Sequence, residues 1–268
     1  MNKLSDILVL IPHYNNFEGL LESVKVIDED ECIDVLIVDD GSTNNFINEN
    51  QLNTVKPNNL NIIYIYLNQN KGIEHALNKG IEYFRKNEEY KFLARLDCGD
   101  LCAKNRFKIQ KEFLDSHNRV GIVGSNIKFF NLKGESVFNL KLPQTNKEIK
   151  RGMFKNAMFI HPSIMLKREV LNKVKQYPLN YPAAEDYAFF FEILKYFEGA
   201  NINQYLVKCE LNPNGISIQK RKIQLRSRLK LIKKNFYFGF YPIFGFFRNL
   251  LLYVMPYKII LFLKSKLD

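Results

Sequence analysis

With 268 residues, 46% of them hydrophobic and 25% charged, the chain has a globular composition that excludes a disordered or fibrous protein. Cys32, Cys98, Cys102 and Cys209 form no CxxC pair, which argues against a disulfide framework, a zinc ribbon or a redox motif and for reduced cytosolic thiols. The net charge of +11 is confined to one place: residues 219–268 hold twelve Lys/Arg and one acid, whereas the first 218 residues hold 27 of each sign.

Ile7–Ile11 is a continuous apolar run, the pattern of a strand covered on both faces. It is too short for a secretory h-region and runs into Pro12-His13. Phe17, Leu20, Leu21, Val24 and Ile27 then recur at helical spacing. Val35–Val38 is a second buried strand, closed by Asp39-Asp40-Gly41-Ser42. A polar, Asn-rich stretch breaks at Pro57 before a third strand, Ile62–Leu67. Gly72–Phe84 reads as helix, and Phe92–Leu96 as a fourth strand leading into Asp97-Cys98-Gly99-Asp100.

Such strand–helix repeats predict right-handed crossovers and an α/β fold with a mainly parallel sheet and helices on both faces. Ligands bind beyond the carboxyl ends of the strands in such sheets, where Asp39/Asp40 and Asp97/Asp100 fall. After residue 120 the pattern changes to strands at Val120–Val123, Asn126–Phe130 and Ser136–Leu140. A capping box follows at Thr145–Glu148, then a strand at Ile164–Leu166 and an aromatic-rich helix at Asp186–Phe197. There is no internal repeat. One α/β domain over residues 1–218 and a helical tail over 219–268 account for the chain.

Taken singly, the acidic segments have bland readings. Asp39-Asp40-Gly41-Ser42 suits a strand exit with an Asx turn, and Glu185-Asp186 suits the first turn of a helix, where the dipole favours acids. Asp97 and Asp100 suit either a turn or a cation site. In order along the chain, however, Ile11-Pro12-His13-Tyr14-Asn15, Asp39-Asp40-Gly41-Ser42, Asn70-x-Gly72 with Asn78-x-Gly80, Ala94-Arg95-Leu96-Asp97-x-x-Asp100, His161-Pro162-Ser163 and Glu185-Asp186 resemble the family 2 glycosyltransferases of the GT-A, Rossmann-like fold. The resemblance spans roughly residues 6–200.

That resemblance implies a nucleotide-sugar donor and an inverting transfer. Pro12, Tyr14 and Asp40 would surround the nucleobase, Asp97 would lie by the ribose or the diphosphate-bound cation, and Asp186 would be the general base. Arg95 would be a phosphate contact or a strand-end ion pair, and Arg106 a structural pairing. The chemistry suits these residue types: a divalent cation on hard oxygen ligands offsets charge on a diphosphate leaving group, and a positioned carboxylate takes the proton of an attacking alcohol.

The family's usual DxDD pattern has a metal-binding acid where this chain has Gly99. Three readings stand: Asp100 replaces the missing ligand, His161 supplies one, or metal dependence is weakened. The expectation is a retained Mg²⁺ or Mn²⁺ site drawn from Asp97, Asp100 and His161.

In the tail, Leu225, Leu229, Ile232 and Phe236 recur at helical spacing among Arg226, Arg228, Lys230, Lys233 and Lys234, the pattern of a basic amphipathic helix. Residues 236–263 are aromatic and apolar but interrupted by Pro242, Arg248, Pro256 and Lys258, too broken for a spanning helix of about 20 residues. They read as interfacial helices, placing the protein peripherally on the cytoplasmic face of the membrane; an ordinary helical pair packed on the enzyme's own core is the alternative. No nucleic-acid motif appears, and no nucleic-acid partner is expected.

The function expected is transfer of a sugar, UDP-linked before TDP or GDP, to a hydroxyl of a glycan or lipid-linked glycan in bacterial surface polysaccharide or lipooligosaccharide synthesis. A sugar nucleotidyltransferase would carry a Gly-rich, Lys/Arg-containing loop where this chain reads PHYNNFEG. A degenerate, non-catalytic membrane-binding scaffold is the other rival.

Overall fold

The computed structural model describes residues 5–28, 30, 32–211 and 219–255. Among them the strands are β1 (Ile7–His13), β2 (Ile33–Asp39), β3 (Leu60–Tyr66), β4 (Phe92–Arg95), β5 (Leu101–Cys102), β6 (Val120–Phe130), β7 (Ser136–Leu140), β8 (Met165–Lys167) and β9 (Glu198–Glu210). The helices are α1 (Phe17–Lys25), α2 (Glu49–Val55), α3 (Ile73–Lys86), α4 (Arg106–Ser116), α5 (Asn146–Gly152), α6 (Arg168–Lys173), α7 (Glu185–Ile193), α8 (Arg221–Lys234) and α9 (Phe240–Val254).

The apolar runs are strands because both sides of the sheet are covered. Along β1, Ile7, Val9 and Ile11 join one core with α1, α2 and α4, while Leu8 and Leu10 join another with α3 and α7. That two-residue alternation is the period of a strand, here apolar on both faces. The strands run in the order β3-β2-β1-β4-β8-β6-β9-β5, with β7 on β6. β3, β2, β1 and β4 are parallel neighbours, as are β6 and β9. β8 is antiparallel to both β4 and β6. The chain order reverses at β1, which lies between β2 and β4, so their carboxyl ends frame the crevice where such sheets take ligands.

The charge boundary at residue 218 is not a packing boundary. Leu231 and Ile232 of α8 are buried in the same core as α7, and Ser227 donates to the Pro182 carbonyl at 2.9 Å. Leu225 is buried as the spacing predicts, but Phe236 is 41% exposed. No described helix is long and apolar enough to cross a membrane. The part of the aromatic stretch beyond Met255 lies outside the described residues.

Candidate active site

The exits of β1 and β2 are tied to each other before they meet any ligand. His13 donates from Nδ1 to Asp39 Oδ2 at 3.0 Å and accepts the Asn16 backbone N–H at Nε2. A backbone donor at Nε2 places the ring proton on Nδ1. Asp39 Oδ1 accepts the Ser42 N–H at 2.7 Å, and Asn15 Oδ1 accepts those of Thr43 and Asn44. Gly41 has φ +67°, and a Cβ there would lie 2.4 Å from the backbone of Gln69, so only glycine fits. Beside this turn is a cavity of about 400 Å³, lined in part by Asp39, Gly41, Ser42, Phe46, Tyr66 and Asn70.

Of the three nucleobase candidates, Pro12 is half-buried and Tyr14 is exposed. Asp40 is buried and accepts the backbone N–H groups of Lys71 and Gly72 on its two oxygens, at 3.1 and 2.8 Å. Burial raises its pKa and those two bonds pull against the rise. Asp40 therefore anchors the start of α3, and each oxygen keeps a second lone pair.

At the β4 exit several expectations change. Arg95 is fully buried; it donates to Leu10 O at 2.7 Å, to Asp97 Oδ1 at 2.5 Å and to His161 Nε2 at 3.4 Å. It is a scaffold cation rather than a phosphate contact. His161 is corrected as well: its Nε2 lies 2.8 Å from the Tyr177 hydroxyl, and burial and Arg95 hold its pKa well below the ordinary value. An enclosed ring nitrogen already engaged by two partners is not poised for a cation at the sheet's edge. Asp100 turns inward too, its Oδ1 accepting the Glu210 N–H at 2.9 Å. Burial, with the Asp97 charge behind it, pushes Asp100 up to about 8. Arg106 is structural, donating to the carbonyls of Arg95 and Pro162 at 2.7 and 2.6 Å.

Asp97 remains in the cleft, with its side chain 33% exposed and Oδ1 held by Arg95. Gly99 has φ +96°, and a Cβ built on it would find the Glu210 carboxylate as its nearest neighbour, at 3.6 Å. Glu210, at the end of β9, was missed by sequence reasoning: nothing local marks a residue that becomes relevant through pairing of Leu101 with Lys208. No group of three His, Cys, Asp or Glu side chains suited to a metal occurs among the described residues. Asp97 and the Glu210 carboxylate near Gly99 are nevertheless hard oxygen donors, the kind that Mg²⁺ or Mn²⁺ takes together with diphosphate oxygens.

Across the cleft, α7 begins with Glu185 and Asp186. Burial pushes Glu185 up to about 8, reinforced by Asp186, Glu74 and Asp97. Asp186 is raised chiefly by burial, against a 2.6 Å bond from the Tyr187 N–H and the opposing charge of Arg228 on α8. The crevice thus brings a cavity at the β2 and β3 exits, a carboxylate after β4 and a half-buried acid on a helix's first turn to one side of the sheet. Comparison with known proteins gives the class to which this fold belongs.

The Glycosyl transferase family 2 profile matches residues 8–175, and the chain belongs to that family. It is 27% identical to the amylovoran biosynthesis glycosyltransferase AmsE of Erwinia amylovora, over 96% of this chain and 97% of AmsE. It is 28% identical to the bifunctional glycosyltransferase pgtA of Dictyostelium discoideum over 79% of this chain, and the match spans only 32% of that longer protein. In fold it resembles S. aureus TarS 1–349 in complex with UDP-GlcNAc (TM-score 0.63, 16% identity, 93% of this chain and 73% of that one). It also resembles the Pyrobaculum calidifontis mannosyltransferase PcManGT in complex with GDP-Man and Mn²⁺ (TM-score 0.63, 14% identity, 97% and 79%). The protein is a glycosyltransferase.

Proposed function

We propose that this glycosyltransferase moves a sugar, with inversion, from a nucleotide diphosphate donor to a hydroxyl of a glycan or lipid-linked glycan. Surface-polysaccharide or lipooligosaccharide synthesis at the cytoplasmic face of the membrane is its setting. The observation that carries the reading is Asp186, a half-buried carboxyl of raised pKa on the first turn of α7 that shares its cleft with Asp97. UDP is the nucleotide put first, as the family resemblance implies, and structures of like fold include both a UDP-GlcNAc and a GDP-Man complex. The name of AmsE supports a polysaccharide product.

Pro12 and Tyr14 flank the base and Asp40 accepts a base N–H on a free lone pair. Asp97 faces the ribose and diphosphate, held in place by Arg95. Asp186 takes the proton of the acceptor hydroxyl as that oxygen bonds the anomeric carbon. The bond from that carbon to the diphosphate breaks on the opposite face, and its electron pair leaves with the phosphate. One displacement inverts the configuration, so a single base is enough. When bound, Mg²⁺ or Mn²⁺ offsets the charge on the departing diphosphate, with Asp97 and Glu210 as the protein's ligands.

Binding of UDP, TDP and GDP by calorimetry, with and without Mn²⁺, tests the donor side in wild type and Asp97→Ala. Tight binding of one nucleotide, weakened by Asp97→Ala, is the expected result. Failure to bind any of them would favour the degenerate scaffold. On the acceptor side, Asp186→Asn is expected to lose about 10²–10⁴-fold in turnover while nucleotide affinity holds.

A further inference from the structure

Helix α9 packs Tyr241 and Phe246 against the core but carries most of its apolar residues on the outside. The positions it buries are Pro242, Gly245 and Asn249, whereas Phe240, Phe244, Phe247, Leu251 and Val254 are exposed, Phe240 by 71% and Val254 by 66%. Those five recur every three or four residues and form one stripe about 20 Å long. Phe238, just before the helix, is 96% exposed.

The orientation is fixed by close contacts. A Cβ on Gly245 would lie 2.3 Å from the Phe154 carbonyl oxygen, so that face of the helix must sit against the body. Arg248 donates to Lys155 O at 2.9 Å, and Arg221 of α8 donates to Leu252 O at 2.5 Å. Rotating the stripe inward would break all three.

Next to the start of α9 is a cavity of about 350 Å³, walled by Met153, Phe154, Phe191 and Tyr237, with Lys150, Arg151 and Lys195 at its rim. Arg151 stacks over Tyr241 at 5.2 Å, and Lys195 pairs with Glu192 at 2.6 Å. Residues 219–255 hold nine Lys/Arg and no acid.

We propose that this surface docks on a bilayer containing anionic phospholipid. The α9 stripe enters the boundary of the acyl chains, and the cavity receives a lipid headgroup phosphate between Lys150, Arg151 and Lys195. Charge decides the occupant. A second copy seated on the stripe would bring two sets of nine cations together, while an anionic headgroup layer neutralises them and hydrocarbon accepts the phenyl rings. The inference rests on the membrane setting proposed above and adds the face and the lipid chemistry. The cavity meets the C-terminal end of α7 at Leu194, about 12 Å along the helix from Asp186.

Co-sedimentation of the full-length protein with phosphatidylcholine vesicles, with and without phosphatidylglycerol, is the test. Wild type is expected to bind the anionic vesicles about ten-fold more tightly. The pair Phe240→Ser/Phe247→Ser weakens binding to both vesicle types, and Lys150→Glu/Arg151→Glu lowers the preference for phosphatidylglycerol while leaving binding to phosphatidylcholine vesicles unchanged. All four positions lie at the surface, and an unchanged melting temperature checks that the variants fold. If wild type binds neither vesicle, the surface and the membrane setting both fall. Should it bind while the variants bind equally well, this surface falls and the setting stands. A dimer that dissociates on Phe240→Ser/Phe247→Ser would make the stripe an interface between copies and overturn the proposal.

Discussion

Asp100 and Glu210 face opposite demands although a single hydrogen bond joins them. Asp100 holds its proton up to about 8, against an ordinary value of 3.8, because its carboxyl is buried beside Asp97. Between those two values the folded chain binds more protons than the unfolded one, so stability falls as pH rises through that window. The contribution is complete below the lower value and lost above the upper one. Asp100→Asn keeps an oxygen for the Glu210 N–H and has no charge to bury. It is expected to raise the melting temperature at pH 8 and to leave it nearly unchanged at pH 4, measured in chelator. An equal shift at both pH values would point to packing instead of the proton. Glu210, by contrast, accepts nothing on its carboxylate among the described residues. Glu210→Gln is expected to weaken Mn²⁺-dependent nucleotide binding about ten-fold, the lower end of losses at metal shells, with metal-free binding unchanged. An unchanged Mn²⁺ response would remove Glu210 from the cation's shell.

Among the elements, β1, β2 and β4 were legible in the sequence because each is buried on both faces, so an unbroken apolar run suffices to find it, and the edge strand β3 was legible because its half-buried residues are apolar on both faces as well. β9 was not, although it is the longest described strand at 13 residues. Its register against β6 shifts near Ser125 and Asn126, and Asn201, Asn203 and Gln204 break any clean alternation. The acids of the site were visible as letters, but their directions were not. That Asp100 turns inward and Glu210 comes forward depends on a pairing more than a hundred residues apart. Helix α9 allows a direct check on element packing. Gly245→Ala would force a methyl group against the Phe154 carbonyl and is expected to cost about 1–3 kcal/mol. Hydrogen exchange should show the loss as faster opening of residues 240–254, with β1 to β4 unaffected; uniform protection would show that the contact has slack.

At the scale of the whole molecule, the basic C-terminal segment is part of the enzyme's body. Arg228 bears on Asp186 and sits 5.4 Å from the Tyr187 ring, so α8 reaches the proposed general base as well as the core. A chain ending at residue 218 would uncover the side of α7 that Leu231 and Ile232 pack against. Such a truncation is expected to aggregate or to lose its cooperative melt, read by calorimetry and size exclusion. A soluble, cooperatively melting 1–218 fragment would restore the two-unit division that the charge distribution suggests.

The late position of β9 also has a consequence in time. Asp97 leaves the ribosome more than a hundred residues before Glu210, a delay of roughly 6–20 s at ordinary rates of synthesis. The parallel part of the sheet from β1 to β4 has every one of its strands during that interval, while the β9 carboxylate has not yet been made. A nascent chain can therefore form the β1 to β4 part of the sheet well before the carboxylate beside Gly99 that β9 carries has been made.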